Sequence, residues 1–221
     1  MANSPVRPEL QVGTLKPSHP DYPRELQKYW DSSTLPTLSA IGNPKLLKQP
    51  MLAIFCSVKC PGDLILKTYD LARSLRDQGT TIMSGFHSPM EKECLTILLR
   101  GKQKIVHCPA RSLEKMRLLK DQRTAIQQNR LVILSPFRER QHRMTSTLAQ
   151  KRNRFVASLA DSIFIAYASP GSKTATLAKQ VVTLGKPLLT FASSDNEHLI
   201  QLGAQNIENS LPVIQPSLPF F

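Results

Sequence analysis

The chain lacks any long uninterrupted apolar run. None of its 221 residues lie in a stretch of about 18 apolar residues, and this excludes a membrane-spanning helix. Residues 1–13 also lack the apolar centre of a secretory signal. We therefore expect a cytoplasmic protein with no membrane partner.

Cysteine is scarce and scattered. The four cysteines, Cys56, Cys60, Cys94 and Cys108, form no Cys-x-x-Cys pair. Isolated cysteines in predicted strands and helices are typical of small buried apolar side chains. We expect this role for them, rather than disulfides or zinc ligands.

Motifs typical of enzymes are missing or incomplete. Gly171-Ser-Lys-Thr174 resembles the end of a nucleotide-phosphate loop, but the earlier glycine of that motif is absent. Glu91 and Glu93 point to different faces of their predicted helix, so they cannot act as a catalytic pair. His87 is isolated, and no nucleophile elbow or His-Glu metal spacing occurs. The sequence thus predicts no catalytic residue, no metal site and no cofactor.

Positive charge is abundant and unevenly distributed. The net charge is +13, and residues 111–154 contribute +9 of it, from twelve Lys/Arg and three Asp/Glu. Residues 155–221 carry −1. A basic segment is usually a solvated face, but this clustering favours a polyanionic partner.

Apolar strand-like runs alternate with amphipathic helical segments from residue 51 onward. Strands are predicted over 51–57, 80–84, 104–108, 131–135, 162–168 and 188–191, and helices over 62–77, 90–100, 112–128, 175–184 and 196–202. A further helical segment begins at residues 152–154. This alternation predicts an α/β fold with a doubly wound, mostly parallel sheet and helices on both faces.

Three units are predicted along the chain. Residues 1–50 contain an amino-terminal arm and a short helical segment, Arg24 to Trp30, that packs on the main domain. Residues 51–205 form the α/β domain. Residues 206–221, with three prolines, form an extended tail.

Candidate ligand contacts follow three predicted strands. Doubly wound sheets bind ligands at the carboxyl ends of their strands, where strand order reverses. Hydroxyls, small residues and cations occupy these loops, and a basic cluster precedes the third strand. The candidate phosphate-binding residues are Ser57, Lys59, Ser84, Gly85, Gly171, Ser172 and Lys173 in the loops, and Lys151, Arg152, Asn153 and Arg154 in the basic cluster.

In the order of its motifs the chain resembles the DprA/Smf family of DNA-processing proteins over residues 19–205. The motifs are Tyr22-Pro23, Gly42-Asn43, Ala53 to Ser57, Gly79 to Gly85, Arg152-Asn153-Arg154, Ser158 to Asp161, Gly171-Ser172, Gly185 to Pro187 and Leu199 to Ala204. No single motif is specific, but the ordered set is. The Arg-Asn-Arg block is the strongest of them.

The chain also departs from the family pattern. Cys56 and Val58 stand where the family has the glycine and arginine of its first loop, and Lys59 supplies a neighbouring cation. After Ser84-Gly85 the family continues Leu-Ala-Arg-Gly-Ile-Asp, whereas this chain reads Phe86-His-Ser-Pro-Met-Glu91. We expect a divergent member without the usual carboxyl-terminal winged-helix module.

The resemblance implies an extended Rossmann-like fold, a homodimer, and single-stranded DNA binding that helps to load a RecA-type recombinase in DNA uptake and recombination. Lys151, Arg152 and Arg154 would contact phosphates, which gives affinity without sequence readout. Aromatic residues make up 6% of the chain, so base stacking should be secondary to electrostatic attraction.

The sequence is also compatible with two alternatives. One is a nucleotide-sensing or protein-interaction module with a degenerate Rossmann-like pocket. The other is an enzyme resembling nucleoside-monophosphate phosphoribohydrolases, which need Pro-Gly-Gly-x-Gly-Thr-x-x-Glu. Ser169 to Thr174 offers only fragments of that motif, without the catalytic glutamate.

Overall fold

The computed structural model describes residues 11–31, 33–137 and 141–209. Within this part of the chain, one nine-stranded sheet forms the centre of the molecule. Predictions for residues 1–10, for the tail beyond 209 and for the middle of the 136–144 loop lie outside the described residues.

The strands follow one another along the chain with helices between most of them. They are β1 (Gly13–Leu15), β2 (Leu38–Gly42), β3 (Met51–Phe55), β4 (Thr81–Ser84), β5 (Ile105–His107), β6 (Leu131–Ser135), β7 (Ser162–Ile165), β8 (Leu188–Thr190) and β9 (Gln205–Asn206).

Six α-helices and three short 3₁₀ segments are present among the described residues. The α-helices are α1 (Gly62–Asp77), α2 (Pro89–Leu99), α3 (Lys120–Gln127), α4 (Ser146–Leu159), α5 (Lys173–Thr183) and α6 (Glu197–Ile200). The 3₁₀ segments are Arg24–Lys28, Pro44–Lys48 and Ser194–Asn196.

The sheet confirms the predicted doubly wound, mostly parallel architecture. Its strand order is β1-β2-β6-β5-β4-β3-β7-β8-β9. All pairings from β6 to β9 are parallel, and β2 and β1 add an antiparallel edge. The chain runs from β3 outward to β6 and then returns to pair β7 with β3. The strand order therefore reverses between β3 and β7.

Apolar side chains cover both faces of the sheet. On β3, Ala53 and Phe55 join the core beneath α4 and α5, whereas Leu52 and Ile54 join the core beneath α1 and α2. All five β3 residues are buried, which explains the continuous apolar run in the sequence.

The structure corrects three sequence predictions. Two strands, β1 and β2, precede residue 50 and belong to the main sheet, although no strand was predicted there. The helix predicted over 112–128 is confined to α3, because Lys115 adopts a left-handed backbone with φ 53° that a right-handed helix cannot include. Helix α4 begins at Ser146, so the basic cluster lies within the helix rather than at its start.

The described helices include none that is both long enough and apolar enough to cross a membrane.

Candidate nucleic-acid interface

Three loops predicted to bind a ligand meet at one edge of the sheet. They follow β3, β4 and β7, which are neighbouring parallel strands, so all three leave the same carboxyl edge. We call this surface the carboxyl edge. The point of strand-order reversal, between β3 and β7, lies at its centre.

Ser57 joins the loop after β3 to the loop after β7. Its backbone N–H donates to the carbonyl of Tyr167 at 2.9 Å, and its Oγ accepts from the N–H of Ser169 at 3.0 Å. The Oγ also lies 3.4 Å from the Oγ of Ser172, the residue that caps the amino terminus of α5. Ser57 is buried, so it fixes the relative position of two loops.

Glu91 joins the loops after β3 and β4. Its carboxylate accepts the N–H of Cys56 at 3.1 Å, the N–H of His87 at 2.8 Å and the hydroxyl of Ser84 at 3.4 Å. Glu91 is buried, and these donors replace the water that a buried carboxylate loses. The chain therefore places its own anion among amide donors at the ends of β3 and β4.

Arg152 is buried, in contrast to the exposed phosphate ligand that the sequence suggested. Only 3% of it is exposed, its Nη1 donates to the carbonyl of Cys108 at 2.9 Å, and its Nε donates to Oδ1 of Asn153 at 2.7 Å. Burial lowers the pKa of its guanidinium, and the charge of Glu91 opposes that effect. Arg152 thus ties α4 to the end of β5.

Gly85 makes room for this guanidinium. A Cβ on Gly85 would lie 1.1 Å from Nη1 of Arg152, so no larger residue fits without displacing the arginine. Ser84 is fully buried beside it, and its hydroxyl is engaged by Glu91 and by the N–H of Phe86. Ser84 and Gly85 therefore lie beneath Arg152 and Glu91 rather than at the surface.

His107 completes the buried layer under Arg152. Its ring packs edge-on against Phe86, with centroids 5.5 Å apart. Burial lowers the pKa of His107 to about 4, with the nearby charge of Arg152 adding to the effect. Among the described residues its Nδ1 has no hydrogen-bond partner.

Two exposed lysines lie in or next to the loops of the carboxyl edge. Lys59, in the loop after β3, is exposed, as is Lys173 at the start of α5. The Nζ of Lys173 donates to the Oγ of Ser146, the first residue of α4. This contact brings the amino termini of α4 and α5 together. Gly171, with φ 70°, makes the turn that leads into α5.

The basic cluster on α4 divides between two surfaces. Arg152 points inward, whereas Lys151 and Arg154 are exposed and line a groove beside Trp30. Asn153 is half-buried and accepts from Arg152. Successive residues on a helix point about 100° apart, so this division follows from helix geometry.

The basic segment 111–154 does not form one continuous face. The stretch between β5 and α3, with Lys115 and Arg117, lies on the carboxyl side of the sheet. Arg130, however, directly precedes β6 at the opposite edge, and it donates to the carbonyls of Gln103 and Leu99 at 3.2 and 3.1 Å. Part of the positive charge of this segment therefore binds backbone carbonyls within the fold.

The cysteines and acidic residues of the described chain offer no metal centre. No group of three or more potential ligands occurs there. Cys56, Cys94 and Cys108 are buried, and Cys60 is half-buried. The thiol of Cys56 donates to Cys60 and lowers the pKa of that thiol.

This geometry agrees with a comparison against known protein families. A family model described as DNA recombination-mediator protein A matches residues 13–216. The chain belongs to this family, the DprA/Smf proteins. Comparison with curated proteins gave no significant match.

Two solved DprA structures are similar over nearly the whole chain. DNA processing protein A from Streptococcus pneumoniae has 19% identity and a TM-score of 0.75, covering 96% of this chain and 76% of that one. DNA processing protein A from Helicobacter pylori, described with its mode of single-stranded DNA binding, has 25% identity and a TM-score of 0.72, covering 93% and 95%. They confirm the Rossmann-like DprA fold.

A more distant structure shares the fold alone. The molybdenum cofactor carrier protein from Chlamydomonas reinhardtii has 11% identity and a TM-score of 0.51, covering 75% of this chain and 96% of that one. The likeness shows a common strand-and-helix scaffold.

Three residues of this region were missed by the sequence-based site prediction: Glu91, His107 and Trp30. Glu91 could have been found, because Ser88 and Glu91 have the Ser-x-x-Glu spacing of a helix-capping box. His107 and Trp30 carry no local signal, since their environments depend on contacts distant in sequence.

Proposed function

We propose that this protein is a non-enzymatic single-stranded DNA-binding protein that assists the loading of a RecA-type recombinase. The observation that carries the proposal is the convergence of three loops and several helix amino termini at the carboxyl edge, beside exposed Lys59 and Lys173. Family membership and the DNA-binding Helicobacter pylori relative support it.

The carboxyl edge is electrostatically suited to phosphates. Helices α1, α2, α4 and α5 all begin at this edge, because each follows a strand of the parallel set. A helix amino terminus presents free N–H groups and a partial positive charge. These partial charges add to those of the exposed lysines.

We assign the candidate residues to two roles. Ser84, Gly85, Arg152 and Glu91 form a buried framework that holds the loops. The phosphate contacts are the accessible groups, namely Lys59, Gly171, Ser172 and Lys173 at the carboxyl edge, with Lys151 and Arg154 on α4. Ser57 positions the first of these loops against the second.

Glu91 supports a non-enzymatic role. A general base needs an accessible lone pair within reach of a substrate proton. The Glu91 carboxylate is buried and accepts from three donors of its own chain. We therefore assign it a structural role.

Homodimerisation and the contact with a recombinase are further parts of the proposal, and family membership supports them. A protein that loads recombinase onto DNA would act in the cytoplasm. Sedimentation analysis across a range of protein concentrations tests the dimer directly, and a monomer at all concentrations would contradict it.

The DNA-binding proposal can be tested with two paired double variants. Lys59→Gln with Lys173→Gln removes two cations from the carboxyl edge, and Lys102→Gln with Lys104→Gln removes two from the opposite edge. Fluorescence anisotropy with several unrelated single strands should show weaker binding for the first variant with every sequence, because phosphate contacts carry no sequence information. The control should bind like the unmodified protein.

Equal affinity of both variants for DNA would contradict the assignment. Arg152 is left out of this design because its burial means that a substitution there also changes stability.

A further inference from the structure

A groove separate from the converging loops is lined by residues of α4 and α5. It has a volume of about 740 Å³, and Tyr29, Trp30, Asp31, Thr34 and Pro36 line its far side. Its wall on α4 includes Lys151, Arg154 and Ser158, and its wall on α5 includes Leu177 and Gln180. The volume is within the range of small-ligand sites, roughly 300 to 1,000 Å³.

The charged lining of the groove consists of two cations, Lys151 and Arg154, and the carboxylate of Asp31. Lys151 and Arg154 are three residues apart on α4, so their side chains share one face of the helix. Both are exposed, and within the described ranges neither forms an ion pair with an acidic side chain. Two neighbouring cations without an internal partner suit an anionic ligand.

The apolar part of the groove contains the only tryptophan of the chain. Trp30 is half-buried against the core and still lines the groove, together with Leu184. The neighbouring Tyr29 is covered by Lys186, whose Nζ lies 4.7 Å from the ring centroid. Phe137 and Phe155 also line the groove but are buried, so Trp30 is the aromatic side chain best placed to contact a ligand.

The groove adjoins the carboxyl edge. Lys151 lies in the second turn of α4, and Ser146, in the first turn, contacts Lys173 of the carboxyl edge. The loop after β6 leaves the carboxyl end of that strand, and its residues Pro136 and Phe137 line the groove. A chain of phosphates held at the carboxyl edge could thus continue along α4.

We propose that this groove binds one segment of a single DNA strand, with a base against Trp30 and phosphates on Lys151 and Arg154. The proposal rests on the single-stranded DNA binding proposed above. Aromatic stacking and neighbouring cations together are the usual means by which proteins hold single strands without reading their sequence.

Trp30 provides its own reporter. Its fluorescence is followed during titration with oligothymidylates, while the anisotropy of a labelled oligothymidylate reports total binding. The expected result is that Trp30 emission changes in step with anisotropy. Trp30→Leu should weaken binding roughly tenfold, and Trp30→Phe should retain most of the affinity, because stacking needs an aromatic face.

Matched variants distinguish an effect of the groove residues from a general loss of positive charge and from unfolding. Lys151→Gln with Arg154→Gln should weaken binding and reduce the Trp30 response. Lys102→Gln with Lys104→Gln, at the opposite edge of the sheet, should leave both unchanged. Tyr69→Leu on α1 is the aromatic control, and thermal unfolding shows whether each variant is folded.

Each contrary outcome has a distinct meaning. Normal DNA binding with unchanged Trp30 emission would overturn the groove proposal and leave the proposed function standing. Absence of any DNA binding would overturn both. If thymidine monophosphate changes Trp30 emission as strongly as the oligonucleotide does, the ligand of the groove is a free nucleotide and not a DNA strand. A Trp30 signal that depends on protein concentration alone would assign the groove to a second copy of the chain.

Discussion

At the scale of single residues, the contact between Arg152 and Gly85 determines how the loops are held. Arg152 reaches the carbonyl of Cys108 only by crossing over Gly85, where a Cβ would overlap the guanidinium. Glycine is required at position 85 because the guanidinium of Arg152 approaches its Cα closely, and not because of its backbone conformation. The sequence identified both residues as site candidates, but their mutual contact appears only in the structure.

Gly85→Ala is therefore expected to lower the free energy of unfolding by about 1 to 3 kcal/mol, the usual cost of overpacking. The measurement is equilibrium unfolding in urea. Gly79→Ala is the matched control, because a Cβ there meets no atom within 4 Å. Equal stability of the two variants would contradict the packing of Arg152 on Gly85.

His107 gives the molecule a specific acid sensitivity. Its pKa is lowered from 6.5 to about 4, so the folded protein keeps it neutral while the unfolded chain binds a proton below pH 6.5. The titration of His107 therefore leaves the free energy of unfolding unchanged above pH 6.5. As the pH falls from 6.5 toward 4, it lowers that free energy by up to about 1.4 kcal/mol per pH unit.

This dependence is measured by urea unfolding at several pH values between 7 and 4. His107→Gln should lose less stability over that interval than the unmodified protein does. His87→Gln, an exposed histidine, serves as the control and should retain the full dependence. Parallel curves for all three proteins would show that His107 does not titrate as described.

At the scale of secondary-structure elements, predictions succeeded where local pattern alone determines the element. Helix α1 was predicted at Gly62–Asp77 and found there, and strand β6 was predicted at Leu131–Ser135 and found there. Helical spacing of apolar residues identifies α1, and a continuous apolar run identifies β6.

Predictions failed where distant contacts override local pattern. Ser112 was assigned to a helix, but its N–H donates to the carbonyl of Gln141 at 2.8 Å, in the loop after β6. Strand β2 was missed because its partners are β1 and β6, and β6 lies about 90 residues further along the chain. Such pairings cannot be deduced from one short segment.

Helix α4 carries both the buried arginine and the groove cations, so its amino-terminal cap is a useful test. The Oγ of Thr145 accepts from the N–H of Leu148 at 3.2 Å. Thr145→Ala should lower the free energy of unfolding by about 1 kcal/mol. Thr147→Ala, an exposed position inside the helix, should cost less, and an equal loss in thermal unfolding would contradict the capping role.

At the scale of the whole molecule, the sequence predicted the fold class and the meeting of the three loops. Alternation of strands and helices determines a parallel sheet, and the loops must then share an edge. It did not predict how charge is distributed. Arg130 and Arg152 belong to the same basic segment. Arg130 nevertheless donates to a backbone carbonyl at the opposite edge of the sheet, whereas Arg152 is buried beneath the carboxyl edge.

The central claim is that the carboxyl edge binds the phosphates of single-stranded DNA. Its most direct test is the slope of log affinity against log salt concentration. Each phosphate contact with a single strand contributes about −0.7 to that slope. Lys59→Gln with Lys173→Gln should make the slope shallower by about 1.4. Lys102→Gln with Lys104→Gln should leave the slope unchanged, and an equal change in both variants, or none in either, would contradict the claim.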